Sequence, residues 1–111
     1  MATISANTDL VTVMVRFAVD PEDQPQLLKL LAETDPVLTR QPGFVSASTH
    51  RSFDGTEVLM YLQWCSIADH EACVQNIEMN QASAGLMDFI NGGKTRYEVH
   101  MYEVTSVLLP E

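Results

Sequence analysis

An Asp-Gly pair at positions 54 and 55 lies between two β-prone runs, and this feature most limits what the chain can fold into. Asp-Gly favours the tight turn of a two-stranded hairpin, because both residues tolerate backbone conformations that most others avoid. The flanking runs are residues 44–51 (FVSASTHR) and residues 56–65 (TEVLMYLQWC). One face of the second run consists of Val58, Met60, Leu62 and Trp64. The pattern therefore predicts two antiparallel strands joined by this turn.

Hydrophobic periodicity predicts a strand and a helix before the hairpin. Residues 10–19 (LVTVMVRFAV) form a β-branched run, which predicts a strand with apolar side chains on both faces. Asp20 and Pro21 predict a helix start, since aspartate caps helices and proline suits the first helical position. Leucines at helical spacing follow, and we expect Pro36 to break or kink this helix because its ring clashes with the preceding turn.

Two helical segments and a last strand are predicted after the hairpin. Ser66 is the expected N-cap of a helix whose apolar face includes His70. The other members of that face are Ile67, Cys73, Val74 and Ile77. A further helical piece ends at Asn91-Gly92-Gly93, where glycine can supply a left-handed C-cap. Residues 95–109 then predict a long strand.

The predicted element order is strand, helix, strand, strand, helix, helix, strand. This is the split β-α-β order of a ferredoxin-like α+β protomer, an antiparallel sheet with helices on one face. We expect residues 1–111 to form a single domain, because domains usually hold about 100–150 residues, and residues 1–9 to be flexible. The uncovered sheet face is too apolar for water, which predicts a homodimer packed sheet against sheet.

Composition and charge exclude several classes of function. The chain has 15 acidic and 6 basic side chains, and the resulting net charge of −9 argues against binding nucleic acid or an anionic membrane surface. No apolar run approaches the ~18 residues of a membrane span, and nothing resembles a signal peptide, so we expect a cytoplasmic protein. Cys65 and Cys73 are then reduced thiols, and no ligand spacing indicates a metal site.

The candidate chemistry rests on two residues, since no cofactor or catalytic-triad motif is present. Trp64 ends the second hairpin strand, and His70 follows one to two helical turns later on the face expected to point back at the sheet. An aromatic wall beside one titratable imidazole suits an aromatic substrate and a single proton transfer. Judged by residue type alone, however, a tryptophan on an apolar strand and a histidine on an inner helix face are more often core residues.

A set of short motifs lies in register around the hairpin. They are Gln41-Pro42-Gly43-Phe44, His50-Arg51-Ser52, Asp54-Gly55-Thr56 and Tyr61-Leu62-Gln63-Trp64, followed by Ser66 and His70. Over residues 41–74 this pattern resembles the antibiotic biosynthesis monooxygenase family. The resemblance implies a dimeric α+β barrel, in which each ferredoxin-like protomer has a pocket between its sheet and helices and the C-terminal strand helps to join the subunits.

The resemblance also implies an activity. Similar actinomycete proteins are cofactor-independent oxygenases, which oxidise anthrones and related aromatic polyketides to quinones with O2 and without metal or flavin. On this basis we expect a cofactor-independent monooxygenase acting on an aromatic polyketide or quinol-like substrate, with Trp64 and His70 as catalytic residues. The expected substrate-binding residues are Met60, Leu62, Phe89 and Arg51.

Two alternative functions stay open. One is a polyketide cyclase or isomerase of the same fold, which needs a base but no oxygen. The other is a non-catalytic, ligand-binding homodimer. Met60 stands where the similar oxygenases usually have asparagine, which favours the non-catalytic alternative.

Overall fold

The computed structural model describes residues 9–111, which form a four-stranded antiparallel sheet with helices packed on one face. The strands are β1 Val11–Val19, β2 Phe44–Arg51, β3 Glu57–Trp64 and β4 Thr95–Glu103. The helices are α1 Gln24–Ala32, α2 Asp35–Leu38, α3 Ile67–Val74, α4 Ile77–Ala82 and α5 Ala84–Asn91. The spatial order of the strands is β2-β3-β1-β4. This is the ferredoxin-like α+β arrangement predicted from the element order.

The turn between β2 and β3 forms at the Asp-Gly pair, as predicted. Asp54 accepts hydrogen bonds from the Thr56 hydroxyl at 2.7 Å, the Thr56 N–H at 3.0 Å and the Ser52 hydroxyl at 2.8 Å. These contacts, led by those from Thr56, lower the pKa of the Asp54 carboxyl to about 2. Gly55 has a φ of 81°, a left-handed conformation that glycine adopts without a steric cost. The turn is thus well defined, and it sets the register of the hairpin.

The hydrophobic core lies between one face of the sheet and the helices. The core-facing residues of β1 and β3 alternate along each strand, which confirms the predicted periodicity. They are Val13, Phe17 and Val19 of β1 and Val58, Met60, Leu62 and Trp64 of β3. Leu27 and Leu31 of α1 and Leu38 of α2 cover them.

The first helix begins later than predicted. Residues 21–23 form a turn after β1, in which the carbonyl of Asp20 accepts a hydrogen bond from the Gln24 N–H at 3.1 Å. The helix therefore starts at Gln24, and Pro25 rather than Pro21 occupies its first turn. The break expected at Pro36 is confirmed, because this residue lies in the first turn of the separate helix α2.

The apolar face predicted for the helix after the hairpin is wrong in part. Cys73 is the buried side chain of α3, whereas Ile67, Val74 and Ile77 are exposed. Successive helical residues are rotated by about 100°, so His70 lies between the direction of Cys73 and that of Ile67 and Val74. A break after Val74 places Ile77 in α4 and interrupts the periodicity. His70 is therefore at the edge of the buried face and is half-buried.

The last strand is shorter than the predicted range of 95–109. β4 ends at Glu103, and residues 104–111 have no regular secondary structure. Part of this C-terminal segment lies over the sheet face opposite the helices, which we call the open face. The segment and the open face border a cavity of about 400 Å³ that is open to solvent. Its lining includes Thr12, Met14, Tyr61, Tyr102 and residues 103–108.

The open face is more polar than predicted. Arg16 donates two hydrogen bonds to the Glu57 carboxylate, at 2.7 and 3.1 Å, and His100 lies 3.2 Å from Glu98. Arg16, Glu57 and their neighbours Glu98 and His100 occupy one half of the face, which we call the charged half after the Arg16–Glu57 ion pair, and the lining of the cavity occupies the other. We predicted that the uncovered sheet face is too apolar to be exposed to water. That prediction applies to the cavity half of the open face and is wrong for the charged half.

Four further predictions concern the chain as a whole. The expected flexibility of residues 1–9 falls outside the described residues, except for Asp9. The single domain over residues 1–111 stays a prediction. Within residues 9–111, no helix is both long and apolar enough to cross a membrane. Both cysteines in this range are free, with Cys65 exposed and Cys73 buried.

Candidate active site

Trp64 lies at the end of β3 with its indole ring buried in the core. The hairpin register places Phe44 opposite it, and the two rings meet edge to face with centroids 5.6 Å apart. The indole N–H is buried and has no hydrogen-bond partner among residues 9–111. Such an unpaired donor costs roughly 1–3 kcal/mol, so its presence in a folded protein needs a physical reason.

The first turn of α3 places His70 beside this indole. The two ring centroids are 5.7 Å apart, and the rings are tilted by 58°. Nδ1 of His70 is also buried and lacks a hydrogen-bond partner in the described part of the chain. Burial lowers the pKa of His70 below 6.5, although the neighbouring Glu71 carboxylate opposes the shift. The imidazole is therefore neutral near pH 7 and able to take up a proton.

Ser66 caps α3, as predicted, and so sets where the helix begins. Its hydroxyl accepts a hydrogen bond from the Asp69 N–H at 3.1 Å and donates one to the Asp69 carboxylate at 2.9 Å. In a full capping box, the third helical residue would instead bond to the backbone N–H of the cap. The chain thus turns from the end of β3 into α3 within two residues of Trp64.

The two unpartnered nitrogens define what this arrangement can do chemically. An indole N–H can only donate a hydrogen bond, whereas a neutral imidazole nitrogen without a hydrogen accepts one. A phenol or enol oxygen satisfies both groups, since it accepts from Trp64 and donates its proton to His70. The partly buried ring of Phe44 offers apolar surface to an aromatic ligand, whereas the ring of Trp64 is buried. The site therefore suits recognition and deprotonation of an aromatic hydroxyl group.

The other predicted site residues fall into two groups. Met60 and Leu62 share the core-facing side of β3 with Trp64, and Phe89 of α5 is half-buried and packs against the same core. Arg51 is exposed and lies at the opposite end of the hairpin, roughly 20 Å from Trp64 along the strand. The structure thus brings the three apolar residues toward the Trp64 core and leaves Arg51 apart from it.

One group of acidic residues in the range 9–111 has carboxylate oxygens close enough for a metal ion. Asp20, Glu22 and Asp23 offer ligand atoms within 4.8 Å of one another, in the turn before α1. Carboxylates near a helix start are favoured by the helix dipole without any bound ion. This group therefore does not by itself indicate a metal centre.

Comparison with known proteins identifies the family. The family model for antibiotic biosynthesis monooxygenase matches residues 10–85. The chain belongs to this family. A relative, tetracenomycin-F1 monooxygenase of Streptomyces glaucescens, is 47% identical over 73 residues. That alignment spans 65% of this chain and 65% of the relative.

Solved structures confirm that the fold is that of antibiotic biosynthesis monooxygenases. SnoaB, a cofactor-independent oxygenase from Streptomyces nogalater, matches with a TM-score of 0.72 and 21% identity, covering 93% of this chain and 99% of that one. A monooxygenase from the gene ActVA-Orf6 of Streptomyces coelicolor, in complex with nanaomycin D, matches with a TM-score of 0.73 and 27% identity. This match covers 91% of the present chain and 92% of the other.

Phe44 is a residue of this candidate site that the predicted site does not include. It forms the edge contact with Trp64 and closes one side of the cluster. The signal that points to it is its place at the start of β2, directly after Gly43. Counting outward from the Asp-Gly turn places Val45 opposite Trp64, and a β-bulge between Phe44 and Ser46 shifts the pairing by one residue and brings Phe44 there instead. The sequence therefore points to this end of β2 but not to Phe44 itself.

The contact between Trp64 and His70 generates a spectroscopic prediction, because Trp64 is the only tryptophan in the chain. A protonated imidazole quenches indole fluorescence more strongly than a neutral one. We predict that emission falls as the pH decreases, with a midpoint below 6.5 because burial lowers the pKa of His70. Steady-state fluorescence across the acid range measures this transition. The variant His70→Phe should lose it, and the matched control His50→Gln, at an exposed histidine, should retain it. A transition that persists in His70→Phe would show that another group is responsible.

Proposed function

We propose that the protein is a cytoplasmic, cofactor-independent monooxygenase that oxidises an aromatic polyketide or quinol-like substrate with O2. The observation that carries the proposal is a pair of buried nitrogens on adjacent rings, Trp64 Nε1 and His70 Nδ1, which have no partner within residues 9–111. The relatives support it, since tetracenomycin-F1 monooxygenase and the ActVA-Orf6 protein are monooxygenases and SnoaB is a cofactor-independent oxygenase.

The hydroxyl-bearing edge of the substrate binds against the two rings, with its oxygen near Trp64 Nε1 and His70 Nδ1. Its oxygen accepts a hydrogen bond from the Trp64 indole N–H and gives its proton to His70, which is neutral because burial lowers its pKa. Phe44 offers an aromatic edge, and the rest of the wall is apolar. That wall is made of Met60, Leu62 and Phe89. Excluding water strengthens the hydrogen bond to the developing anion, because the local dielectric constant is low.

Electrons for the reaction come from the substrate, and the protein supplies proton transfer. Removal of the proton leaves an electron-rich anion, which passes electrons to O2 and forms a new carbon–oxygen bond. In an anthrone, the reacting methylene loses its two hydrogens and becomes a carbonyl. The O–O bond breaks, one oxygen atom enters that carbonyl and the other leaves as water with the two hydrogens. The substrate loses four electrons and O2 gains four, so no external reductant is required.

Turnover of an anthrone tests this mechanism. We predict that wild-type protein consumes one O2 per quinone and places one labelled oxygen atom from ¹⁸O2 in the product. The variant His70→Phe should lower kcat by about 10²–10⁴-fold, the usual contribution of a general base. His50→Gln serves as the control and should retain wild-type turnover. In the wild type, kcat/KM should fall only below pH 6.5, where His70 becomes protonated and can no longer accept a proton.

Two outcomes would contradict the proposal. Conversion of a polyketide without O2 consumption would instead support the cyclase or isomerase. Saturable binding of the same panel of anthrones and hydroquinones, with no turnover of any of them, would support the non-catalytic ligand-binding protein. Oxygen-electrode measurements and product mass spectra distinguish the three cases.

A homodimer that covers the cavity half of the open face is the second part of the proposal. Tyr102 on this face is half-exposed, and Leu108 in the C-terminal segment is 96% exposed. A second copy packed against this half removes both side chains from water and completes the dimeric α+β barrel that the family resemblance implies. The charged half around Arg16 and Glu57 stays at the rim, where ion pairs need not lose their hydration.

The homodimer is tested by molar mass in solution. We predict that light scattering gives about twice the 12.3 kDa of one chain. Tyr102→Glu should shift the mass to that of a monomer, because it places a charge in the proposed interface. Phe53→Glu, at a fully exposed aromatic residue in the β2–β3 turn, is the matched control and should leave the dimer intact. A monomeric wild type would contradict this part of the proposal.

A further inference from the structure

Gly43 makes close contacts with the chain neighbours of both Trp64 and His70. Its carbonyl accepts a hydrogen bond at 2.8 Å from the N–H of Cys65, the residue after Trp64. On its other side lies the carboxyl of Asp69, the residue before His70, and a Cβ added at Gly43 would overlap that carboxyl. Gly43 also has a φ of 79°, which other residues adopt only with strain. One backbone position therefore contacts the neighbours of both rings.

Ser66 holds the Asp69 side chain against Gly43. Its hydroxyl donates to the Asp69 carboxylate at 2.9 Å, and the Asp69 N–H donates back to that hydroxyl at 3.1 Å. The carbonyl of Ser66 also accepts a hydrogen bond at 3.3 Å from the N–H of His70. The position of this cap therefore determines where the backbone of His70 lies.

The rest of α3 provides few constraints on its orientation. The helix has eight residues, and Cys73 is its buried side chain. A helix of this length is not stable by itself in water, so its placement depends on tertiary contacts. Because Ile67 and Val74 are exposed, the contacts at the N-terminus of α3 supply much of that constraint.

We propose that Gly43, Ser66 and Asp69 form a positioning latch, which holds the His70 imidazole against Trp64 at the distance needed for proton transfer. The inference rests on the proposed function, in which His70 is the base. The three latch residues do not touch the substrate, and they act only by fixing the first turn of α3. Displacing a catalytic group by about 1 Å can lower a rate by about 100-fold, so a small movement of this turn matters.

Removal of the Asp69 carboxyl tests the latch by two independent readouts. In Asp69→Ala, the imidazole should move away from the indole and become better hydrated. The midpoint of the Trp64 fluorescence transition should then rise toward 6.5 and its amplitude should fall, since burial is what lowers the pKa of His70. With an anthrone, kcat should fall by about 10- to 100-fold while KM changes little. Asp69→Asn keeps an oxygen that accepts from Ser66 and should stay close to wild type in both measurements.

Another N-cap provides a matched control. Asn76 caps α4 by accepting a hydrogen bond from the Met79 N–H at 3.0 Å, and it takes no part in the latch. Asn76→Ala removes a cap of the same kind and should lower the melting temperature without moving the Trp64 transition. If Asp69→Ala does not fold, Ser66→Ala and Ser66→Thr make the same comparison, because only threonine keeps the hydroxyl.

The results separate the latch from the proposed function. An Asp69→Ala protein with the wild-type midpoint, amplitude and kcat would overturn the latch. An equal shift of the Trp64 fluorescence midpoint in Asn76→Ala would also overturn the latch, since loss of any helix cap would then be enough to change the environment of His70. If Asp69→Ala moves the fluorescence transition but the wild type turns over no anthrone, the positioning of His70 is supported and the proposed oxygenase reaction is overturned.

Discussion

The register of β2 against β3 is the constraint on which the rest of the structure depends. The hydrogen bonds to Asp54 define the turn that fixes it. A slip of β2 by one residue would turn its side chains, including Phe44, to the opposite face of the sheet, because strand side chains alternate. The pairing of β3 with β1 keeps Trp64 on the core face. In the observed register Phe44 lies opposite Trp64, and α3 begins shortly after β3 ends. The fold thus brings His70 beside a buried indole.

The energetic cost of the site supports the proposed function. A fully apolar core would be more stable than one in which Trp64 Nε1 and His70 Nδ1 lack partners within residues 9–111. Binding a hydroxyl-bearing aromatic ligand removes this cost, since one oxygen can accept from the indole and donate to the imidazole. The low pKa of the His70 imidazole has the same origin, because burial disfavours its charged form. In the proposed function, one physical cause, burial without partners, therefore accounts for both recognition of the ligand and readiness to accept a proton.

The sequence predicted the sheet better than the details of the site, for physical reasons. Strand periodicity depends on neighbouring residues in the chain, so Val58 and Trp64 were assignable to a core face. The buried face of α3 could not be assigned in the same way, because the helix is short and the break after Val74 interrupts the helical periodicity. The ion pair of Arg16 with Glu57 joins residues far apart in the chain, and only the strand register brings them together. Short-range patterns therefore predict the elements, whereas cross-strand contacts decide the polarity of the open face.

A crystal structure with a bound hydroxylated anthraquinone, a product-like ligand that is not consumed, tests the central claim most directly. The account predicts one ligand oxygen about 3 Å from both Trp64 Nε1 and His70 Nδ1, with the ring system against Phe44. A ligand bound instead in the open-face cavity beneath residues 104–108, with both nitrogens still unpartnered, would contradict the account.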